Sequence, residues 1–397
     1  MSAVQHSAGV PAGRLHPREG VPGVMEADLP PPRVQCHAAN LMTLGDGALG
    51  CVWFSGTQEG VADISVWFSR LAPDSDTWSE PVQLSQDPTR SEQNPILFPA
   101  PDGRLWLIHT AQRAGNQDTA LVRCRISEDH GRTWGPTRDL FTQAGIFVRQ
   151  PVVVLDNGDW LLPIFHCPTE PGQKWAGHDD TSAVMISPDH GASWHEVPVP
   201  ESTGCVHMSI VHGRRPGELI GFFRSRWADH VYRSVSTDRG RHWTAPQPTE
   251  LPNNNSSIQV ARLASGALAI VFNQSSAADA TERRASLYDE IDDGDGRTEA
   301  VARGRSAFWG APRAPMTVAL SDDDGLTWPH RQHLETGDGY CMSNNSQQQL
   351  NREYSYPSIH QSADGALQIA YTVFRQRIRH LRLTEAWVRQ APAQPHA

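Results

Sequence analysis

Two arginines in apolar surroundings are the residues of this chain best suited to chemistry. Arg224 lies inside the apolar run "LIGFFRS", and Arg313 stands just before the strand-like run "PMTVALS". A guanidinium in such surroundings needs an anionic partner, because an isolated buried charge is strongly unfavourable. That partner is either a carboxylate of the protein, as in a structural ion pair, or the carboxylate of a ligand. We favour the ligand, and we add Arg149 in "GIFVRQPVVVL" as a further candidate of the same kind.

Composition limits the partners that such arginines can have. The 397 residues carry a formal net charge of −10, which disfavours nucleic acid and anionic membranes. A small anionic substrate stays compatible, because a local arginine cluster can act inside an acidic protein. No stretch approaches the roughly 20 apolar residues of a membrane span, and the N-terminal residues lack the apolar core of a secretory signal. We therefore expect a cytoplasmic protein.

The cysteines and histidines show no metal-binding spacing. The six cysteines contain no CxxC pair, and the 18 histidines are scattered along the chain. We expect buried, reduced thiols and neither a metal nor another cofactor.

A polar turn that ends in tryptophan recurs along the chain. Four octets read "SEDHGRTW", "SPDHGASW", "STDRGRHW" and "SDDDGLTW", and "PDSDTW" is a degenerate copy. The Asp and Ser/Thr side chains are expected to bond backbone N–H groups, while the indole fills space between neighbouring sheets. We interpret these turns as structural and not catalytic. The tryptophans of the five turns are Trp78, Trp134, Trp194, Trp243 and Trp328. Most of the intervals between them are about 50–60 residues, as in propeller blades.

A second repeat, a glycine turn that enters an alternating apolar strand, occurs six times. The copies are "GDGALGCVWF", "PDGRLWLIHT", "DNGDWLLPIF", "RPGELIGFF", "ASGALAIVFN" and "ADGALQIAYT". Each indicates a β-hairpin. Six small antiparallel sheets that cannot bury both faces alone predict an all-β fold, a six-bladed β-propeller with four strands in each blade. A seventh blade built from N-terminal residues is the alternative.

The ends and one long connection complete the domain prediction. The last repeat lacks the tryptophan turn, so we expect a strand from near the N-terminus to complete it. We expect the propeller to span residues 29–388, between loosely ordered tails at residues 1–28 and 389–397. The roughly 40 residues before "PMTVALS" exceed an ordinary connection and are expected to form a solvated insertion over one face.

These repeats carry a family resemblance. The octets match the Asp-box of sialidases, and the chain resembles the bacterial predicted neuraminidases of the sialidase-like (BNR, Asp-box) superfamily. The matching segments include "CHAANLMTLGDGALGCVWFSGTQEG", "NNNSSIQVARLASGALAIVFN" and "YSYPSIHQSADGALQIAYT". The resemblance extends from about Arg33 to Val388. It implies a propeller that acts on carbohydrate, although the Asp-box by itself also occurs in proteins that are not enzymes.

The resemblance also implies roles for individual residues. Sialidases bind the substrate carboxylate through three arginines, and they use a tyrosine nucleophile, a glutamate that activates it and an aspartate as acid/base. The second and third arginines correspond to Arg224 and Arg313. The tyrosine corresponds to Tyr356 in "EYSYPSIHQSADG", and the acid/base region "GTQEGVAD" offers Glu59 or Asp63.

Two positions depart from the sialidase pattern. The aligned segment "HAANL" puts His37 where the first arginine is expected, and "GCVHMSIV" puts His207 where the glutamate is expected. A histidine can take or give a proton near neutral pH, whereas an arginine cannot. The arrangement also resembles sialidase-like propellers that act on rhamnosyl-glucuronate ends of glycans, in which one histidine transfers the proton. We therefore expect two carboxylate-binding arginines, proton transfer by His37 paired with Tyr356, and weak or absent activity on ordinary sialosides.

Three functions stay open at this point. The first is hydrolysis of a terminal glycosidic bond next to an acidic sugar, either a uronate or sialic acid. The second is a rhamnosyl-glucuronate lyase that acts by β-elimination, and the third is a propeller that binds carbohydrate without catalysis. In each case the expected partner is an acidic glycan or oligosaccharide, and the oligomeric state is not defined by the sequence.

The location of the site follows from the predicted fold. Since the inner strands of all blades converge on the axis, we place Arg224, Arg313, His37 and Tyr356 together at its mouth. The polar runs Gln93–Pro95 and Asn253–Asn255 also precede inner strands. They either bond sugar hydroxyls or serve only as turns.

Overall fold

Glycine hairpins and alternating apolar strands produce six antiparallel sheets that follow one another along the chain. The computed structural model describes residues 11–291, 294 and 296–390. Each sheet has the four strands of a propeller blade, so the predicted all-β, six-bladed fold is confirmed. The helices of the described residues are single turns, namely Ala277–Asp279, Ser346–Gln348 and Glu385–Arg389. None of the described helices is long and apolar enough to cross a membrane.

The strands of the first five blades have the following bounds. The first blade contains Gln35–Thr43, Leu49–Gly56, Ser65–Leu71 and Val82–Gln83. The second contains Ser91–Pro99, Leu105–Arg113, Asn116–Ser127 and Arg138–Phe141. The third has a divided inner strand, Ile146–Val148 and Val153–Val154, followed by Trp160–His166, Thr181–Ser187 and His195–Pro198. The fourth contains Cys205–His212, Leu219–Ser225, His230–Ser236 and Gln247–Pro252. The fifth contains Gln259–Arg262, Leu268–Asn273, Met316–Ser321 and His330–Glu335.

The sixth blade joins the two ends of the chain. Its strands from the C-terminal part are Tyr354–Gln361, Ala366–Val373 and Arg377–Thr384. The N-terminal strand Met25–Asp28 pairs antiparallel with Arg377–Thr384, and His16–Pro17 pairs in turn with Met25–Asp28. These N-terminal residues complete the sixth blade, as expected, and do not build a seventh. The ordered sheet therefore starts upstream of residue 29, inside the segment expected to be a tail, while residues 1–10 and 391–397 lie outside the described residues.

The Asp-box turns have the hydrogen bonds expected of structural turns. In the first octet, the Ser127 hydroxyl accepts from the backbone N–H of Gly131 at 2.8 Å. Asp129 accepts from both the backbone N–H and the hydroxyl of Thr133, at 2.8 and 2.7 Å. The tryptophans pack between neighbouring blades; Trp78, Trp243 and Trp328 are buried, and Trp134 and Trp194 are half-buried.

The long insertion lies between the second and third strands of the fifth blade, and it packs more closely than expected. It buries Tyr288 and Trp309 against Phe147 and Phe165 of the third blade. The Tyr288 hydroxyl also accepts a hydrogen bond from Gln117 at 3.0 Å. Much of the described insertion is exposed, as expected of a solvated segment, but these large apolar side chains also pack it against the third blade.

Candidate active site

A repeated break in the inner strands directs side chains toward the axis. The pairing register shifts near the start of the inner strand in the first, second, fourth and sixth blades. In the third blade the inner strand is divided between Val148 and Val153, where Arg149 lies. A β-bulge of this kind re-aims the local side chain and is common beside active sites. The non-glycine residues with positive φ at these places and before the fifth inner strand are Ala38, Asn94, His207, Asn255 and Tyr356.

Tyr356 lies at the centre of the resulting cluster. Its hydroxyl accepts a hydrogen bond of 2.6 Å from Nη1 of Arg224. The His37 ring centroid is 4.3 Å from the Tyr356 ring centroid, and the Cζ atom of Arg313 is 5.7 Å from it. All four side chains are buried. The structure thus brings together the four residues that the sequence placed at one site.

Arg224 is held by neutral partners. Its Nε donates to Oδ1 of Asn255 at 2.8 Å, and its Nη1 donates to the Tyr356 hydroxyl. Its Nη2 is buried and has no hydrogen-bond partner in the structure. Among the described residues, no carboxylate forms an ion pair with Arg224. Burial, the largest cause, lowers the pKa of Arg224 to about 10.

Arg149 is a second buried arginine without a carboxylate partner among the described residues. Its Nη2 donates to the backbone carbonyls of Ala39, Tyr356 and Pro357 at 3.0, 3.2 and 3.3 Å. Its Nε and Nη1 are buried and unpartnered. Burial lowers the pKa of Arg149 to about 10 as well. This arginine therefore ties the first and sixth blades together at the axis, in addition to contributing positive charge beside Tyr356.

Arg313, by contrast, belongs to a buried chain of alternating charges. Its Nη1 lies 3.3 Å from Glu353, Glu353 lies 2.9 Å from Nε of Arg375, and Nη1 of Arg375 donates to Glu59 at 2.5 Å. Burial alone would lower the pKa of Arg313, but the Glu353 carboxylate raises it above its ordinary value. Arg313 thus has a carboxylate partner in the protein, the alternative that we ranked second, and its role in ligand binding stays a prediction. Glu59 is a member of this chain and is buried beside Arg375.

The cluster contains more arginines than the two expected to bind a carboxylate, although two of them are paired with glutamates. The Cζ atoms of Arg149, Arg224 and Arg313 lie 5.5, 5.5 and 5.7 Å from the Tyr356 ring centroid, and Arg375 joins them through Glu353. Burial first, and then these four arginines, lower the pKa of His37. Arg375 was not found from the sequence, because it lies in the hairpin turn after Val373, where no strand pattern marks it. Glu353 was also missed, although it stands only three residues before Tyr356. The Glu353 carboxylate accepts hydrogen bonds from Arg313 and from the Ser355 hydroxyl, and not from the Tyr356 hydroxyl.

Two neutral histidines flank the tyrosine. Nδ1 of His37 lies 3.0 Å from the Thr372 hydroxyl, and its buried Nε2 has no hydrogen-bond partner. Nε2 of His207 lies 3.5 Å from Nη1 of Arg224, which can only donate, so Nδ1 carries the proton and faces Ser257 at 3.1 Å. Burial and the nearby arginines hold the pKa of both imidazoles well below 6.5.

Other residues singled out in the sequence lie elsewhere or serve the turns. Asp63 is exposed and accepts a hydrogen bond from the backbone of Thr57, so it holds a hairpin and is not part of this cluster. Gln93 is buried and donates to Ser91 at 2.9 Å. All six cysteines are buried and free, and no group of metal-binding side chains occurs among the described residues.

Comparisons with known proteins agree with this fold. A family model described as a BNR repeat-like domain matches residues 47–369. A protein of unknown function from Dyadobacter fermentans aligns with a TM-score of 0.66 at 14% identity, over 91% of this chain and 100% of that chain. A Hadza microbial sialidase aligns with a TM-score of 0.64 at 15% identity, over 90% of this chain and 67% of that one. The intramolecular trans-sialidase from Ruminococcus gnavus aligns with a TM-score of 0.61 at 12% identity, over 90% of this chain and 96% of that one.

The structural matches have low sequence identity and therefore support the fold alone. A search of curated proteins found no match.

Proposed function

This chain belongs to the BNR repeat-like domain family of the sialidase-like superfamily, and from that premise we propose that it is a carbohydrate-active enzyme. In this proposal it cleaves a terminal glycosidic bond next to an acidic sugar, either a uronate or sialic acid. The observation that carries the proposal is a pair of buried arginines beside Tyr356 for which the described part of the chain supplies no carboxylate partner. We take the carbohydrate class of the substrate by analogy with the sialidases that share this fold.

The charges of the cluster call for an anion. Arg313 and Arg375 are balanced by Glu353 and Glu59, as the ion pairs show. Arg149 and Arg224 are not balanced by any carboxylate among the described residues. Because an uncompensated buried charge is unfavourable, a ligand carboxylate that enters this cluster gains two charge-assisted contacts. Both acidic sugars supply such a group.

The chemistry that fits the cluster is proton transfer by His37 and Tyr356. In the tautomer whose Nδ1 donates to the Thr372 hydroxyl, the free Nε2 of neutral His37 can accept a proton. The 2.6 Å hydrogen bond from Arg224 stabilises negative charge on the tyrosine oxygen. For hydrolysis, the pair would protonate the leaving oxygen and deprotonate water. A uronate substrate is favoured, because among the described residues no carboxylate bonds the Tyr356 hydroxyl, whereas a tyrosine nucleophile of the sialidase type requires one.

β-Elimination from a uronate is the second candidate. In this reaction a base removes the proton on the carbon next to the carboxylate, the bond to the leaving oxygen breaks, and that oxygen takes up a proton. A double bond remains in the sugar. The unpartnered Nε2 of His37, in the tautomer that donates from Nδ1 to Thr372, favours this candidate, since a neutral base close to carboxylate-neutralising arginines is what the first step needs.

A product assay tests the proposal. The protein is incubated with a panel of sialosides and rhamnosyl-glucuronates, and the products are separated. Release of a saturated acidic sugar supports hydrolysis, whereas an absorbance rise from an unsaturated uronate supports elimination. Binding of these sugars without any product would instead favour a non-catalytic carbohydrate-binding propeller, and the absence of both binding and turnover would overturn the proposal.

A further inference from the structure

The asparagine triplet Asn253–Asn255 has buried side chains that are all hydrogen-bonded, but only one of them touches the site. Oδ1 of Asn253 accepts from the backbone N–H of Ser225 at 3.0 Å, which is turn chemistry. Nδ2 of Asn254 donates to the carbonyl of Pro312 at 2.7 Å and so anchors the end of the insertion. Asn255 is different, because it connects Arg224 to the insertion.

The amide of Asn255 has two ends with different partners. Its Oδ1 accepts from Nε of Arg224 at 2.8 Å, and its Nδ2 donates to the backbone carbonyl of Phe308 at 2.8 Å. A guanidinium can only donate and a carbonyl can only accept, so these partners fix the orientation of the amide. The positive φ of 57° at Asn255 is a conformation that asparagine tolerates better than most residues.

These contacts leave one edge of the guanidinium unpartnered. Asn255 holds Nε, the Tyr356 hydroxyl holds Nη1, and the Trp309 ring centroid lies 5.8 Å from Cζ. Only Nη2 has no partner. A carboxylate in place of the amide would satisfy the same geometry, but it would also neutralise the arginine. The side chain at position 255 therefore orients Arg224 without cancelling its charge.

We propose that Asn255 is a positioning residue that aims Nη2 of Arg224 at the acidic group of the substrate, and that the inserted segment holds Asn255 in place through the Phe308 carbonyl. This inference rests on the proposed function, since it concerns the same anion-binding arginine. It makes the insertion part of the machinery that determines specificity for an acidic group, rather than a cover alone.

Two substitutions separate orientation from charge. Asn255→Gly keeps the positive φ and removes the amide, so affinity for an acidic sugar should fall roughly 10- to 100-fold, the usual consequence of losing a hydrogen bond to a charged group. Asn255→Asp keeps Oδ1 but adds a negative charge next to Arg224, so affinity should fall at least as far. Asn254→Ala is the matched control, because Asn254 is buried in the same turn and also bonds the insertion, but it does not touch Arg224.

Binding of free glucuronic acid and N-acetylneuraminic acid is measured by calorimetry, and KM and kcat are measured on the substrate that the wild type turns over. The inference predicts a raised KM with kcat changed much less in both Asn255 variants, as expected when ground-state binding is lost. Asn254→Ala should bind like the wild type. Equal affinity in the wild type and in folded Asn255→Asp would overturn the inference while leaving the proposed function intact.

A second measurement does not depend on any sugar. The arginine Nε–H groups are followed by nitrogen-15 NMR, and the Arg224 signal is identified by its loss in Arg224→Lys. Its exchange with solvent should be slow in the wild type and in Asn254→Ala, and faster in Asn255→Gly. Equal exchange rates in the wild type and Asn255→Gly would refute the positioning role, even if the wild type binds neither sugar and the proposed function fails.

Discussion

Replacing Arg224 by methionine is expected to change binding and stability in opposite directions. Arg224 is fully buried, and burial is the main cause that lowers its pKa from 12.5 to about 10. Since one pKa unit corresponds to about 1.4 kcal/mol, keeping this guanidinium charged costs the folded state roughly 3 kcal/mol. This free-energy cost applies in full at every pH below about 10, because Arg224 is then protonated in both the folded and the unfolded chain.

Two losses reduce the gain from removing the charge. The hydrogen bonds from Arg224 to Asn255 and Tyr356 disappear, at about 1 kcal/mol each. Methionine fills the space of the arginine stem because it is unbranched and flexible. The free energy of unfolding should therefore rise by about 1 kcal/mol. Sugar affinity should fall, because the charge-assisted contact to the carboxylate is lost. If that contact is worth about 2–4 kcal/mol in the transition state, turnover falls roughly 30- to 1000-fold as well.

The matched comparison is Arg313→Met, at a buried arginine that does have a counter-ion. This change leaves Glu353 with only Arg375 as its cationic partner. Removing one member of a buried ion pair typically destabilises a protein by about 3 kcal/mol or more. Both variants are compared with the wild type by urea unfolding at neutral pH and by calorimetric titration with the acidic sugar. If Arg224→Met destabilises the protein as much as Arg313→Met does, or binds the sugar like the wild type, our account of Arg224 is refuted.

Three further outcomes are expected. His37→Ala should abolish turnover in a product assay and leave sugar affinity nearly unchanged in a binding assay, and full activity would contradict the role of His37. Because the pKa of His37 is held well below 6.5, the rate of the wild type should show no ionisation near pH 6.5. Glu59→Gln should lower the free energy of unfolding by about 2–3 kcal/mol, because it leaves Arg375 partly unpaired. Urea unfolding measures this change, and unchanged stability would disprove the buried charge chain. Burial lowers the pKa of His380 to about 3. The contribution of His380 to the free energy of unfolding is therefore fully present above the ordinary histidine pKa of about 6.5, and it is lost as the pH falls toward 3. His380→Gln should then flatten the decrease measured between about pH 6.5 and 5 by up to about 1.4 kcal/mol per pH unit, and an unaltered slope would speak against a neutral buried His380.

The fold was accessible from the sequence because its signals are local and repeated. A glycine hairpin such as "DNGDWLLPIF" and a turn such as "SEDHGRTW" each define their own conformation within about ten residues, through side chain to backbone bonds and strand alternation. The insertion was predicted less well. Its buried residues, Tyr288 and Trp309, are separated by a polar stretch, and their partners lie in another blade.

The site was only partly accessible, because its electrostatics depend on partners distant in sequence. Arg224 and Tyr356 were found through their motifs. The pairing of Arg313 with Glu353 and the link from Glu59 to Arg375 connect residues separated by 40 and 316 positions. No spacing rule predicts such pairs. Whether a buried arginine serves a ligand or an ion pair is thus decided by what the fold places next to it.

The left-handed residues at the starts of the inner strands have a consequence for how such a protein changes over evolutionary time. Beyond each break the strand pairs regularly with its neighbour, so the hydrogen-bonded ladder of the blade does not depend on which side chain stands at the break. The stability of the scaffold and the identity of the axial side chains are then under largely separate selection. A single codon change at Ala38, Asn94, His207, Asn255 or Tyr356 alters the chemistry of the axis while the ring of blades persists, which makes the bulge a route by which new substrates are acquired.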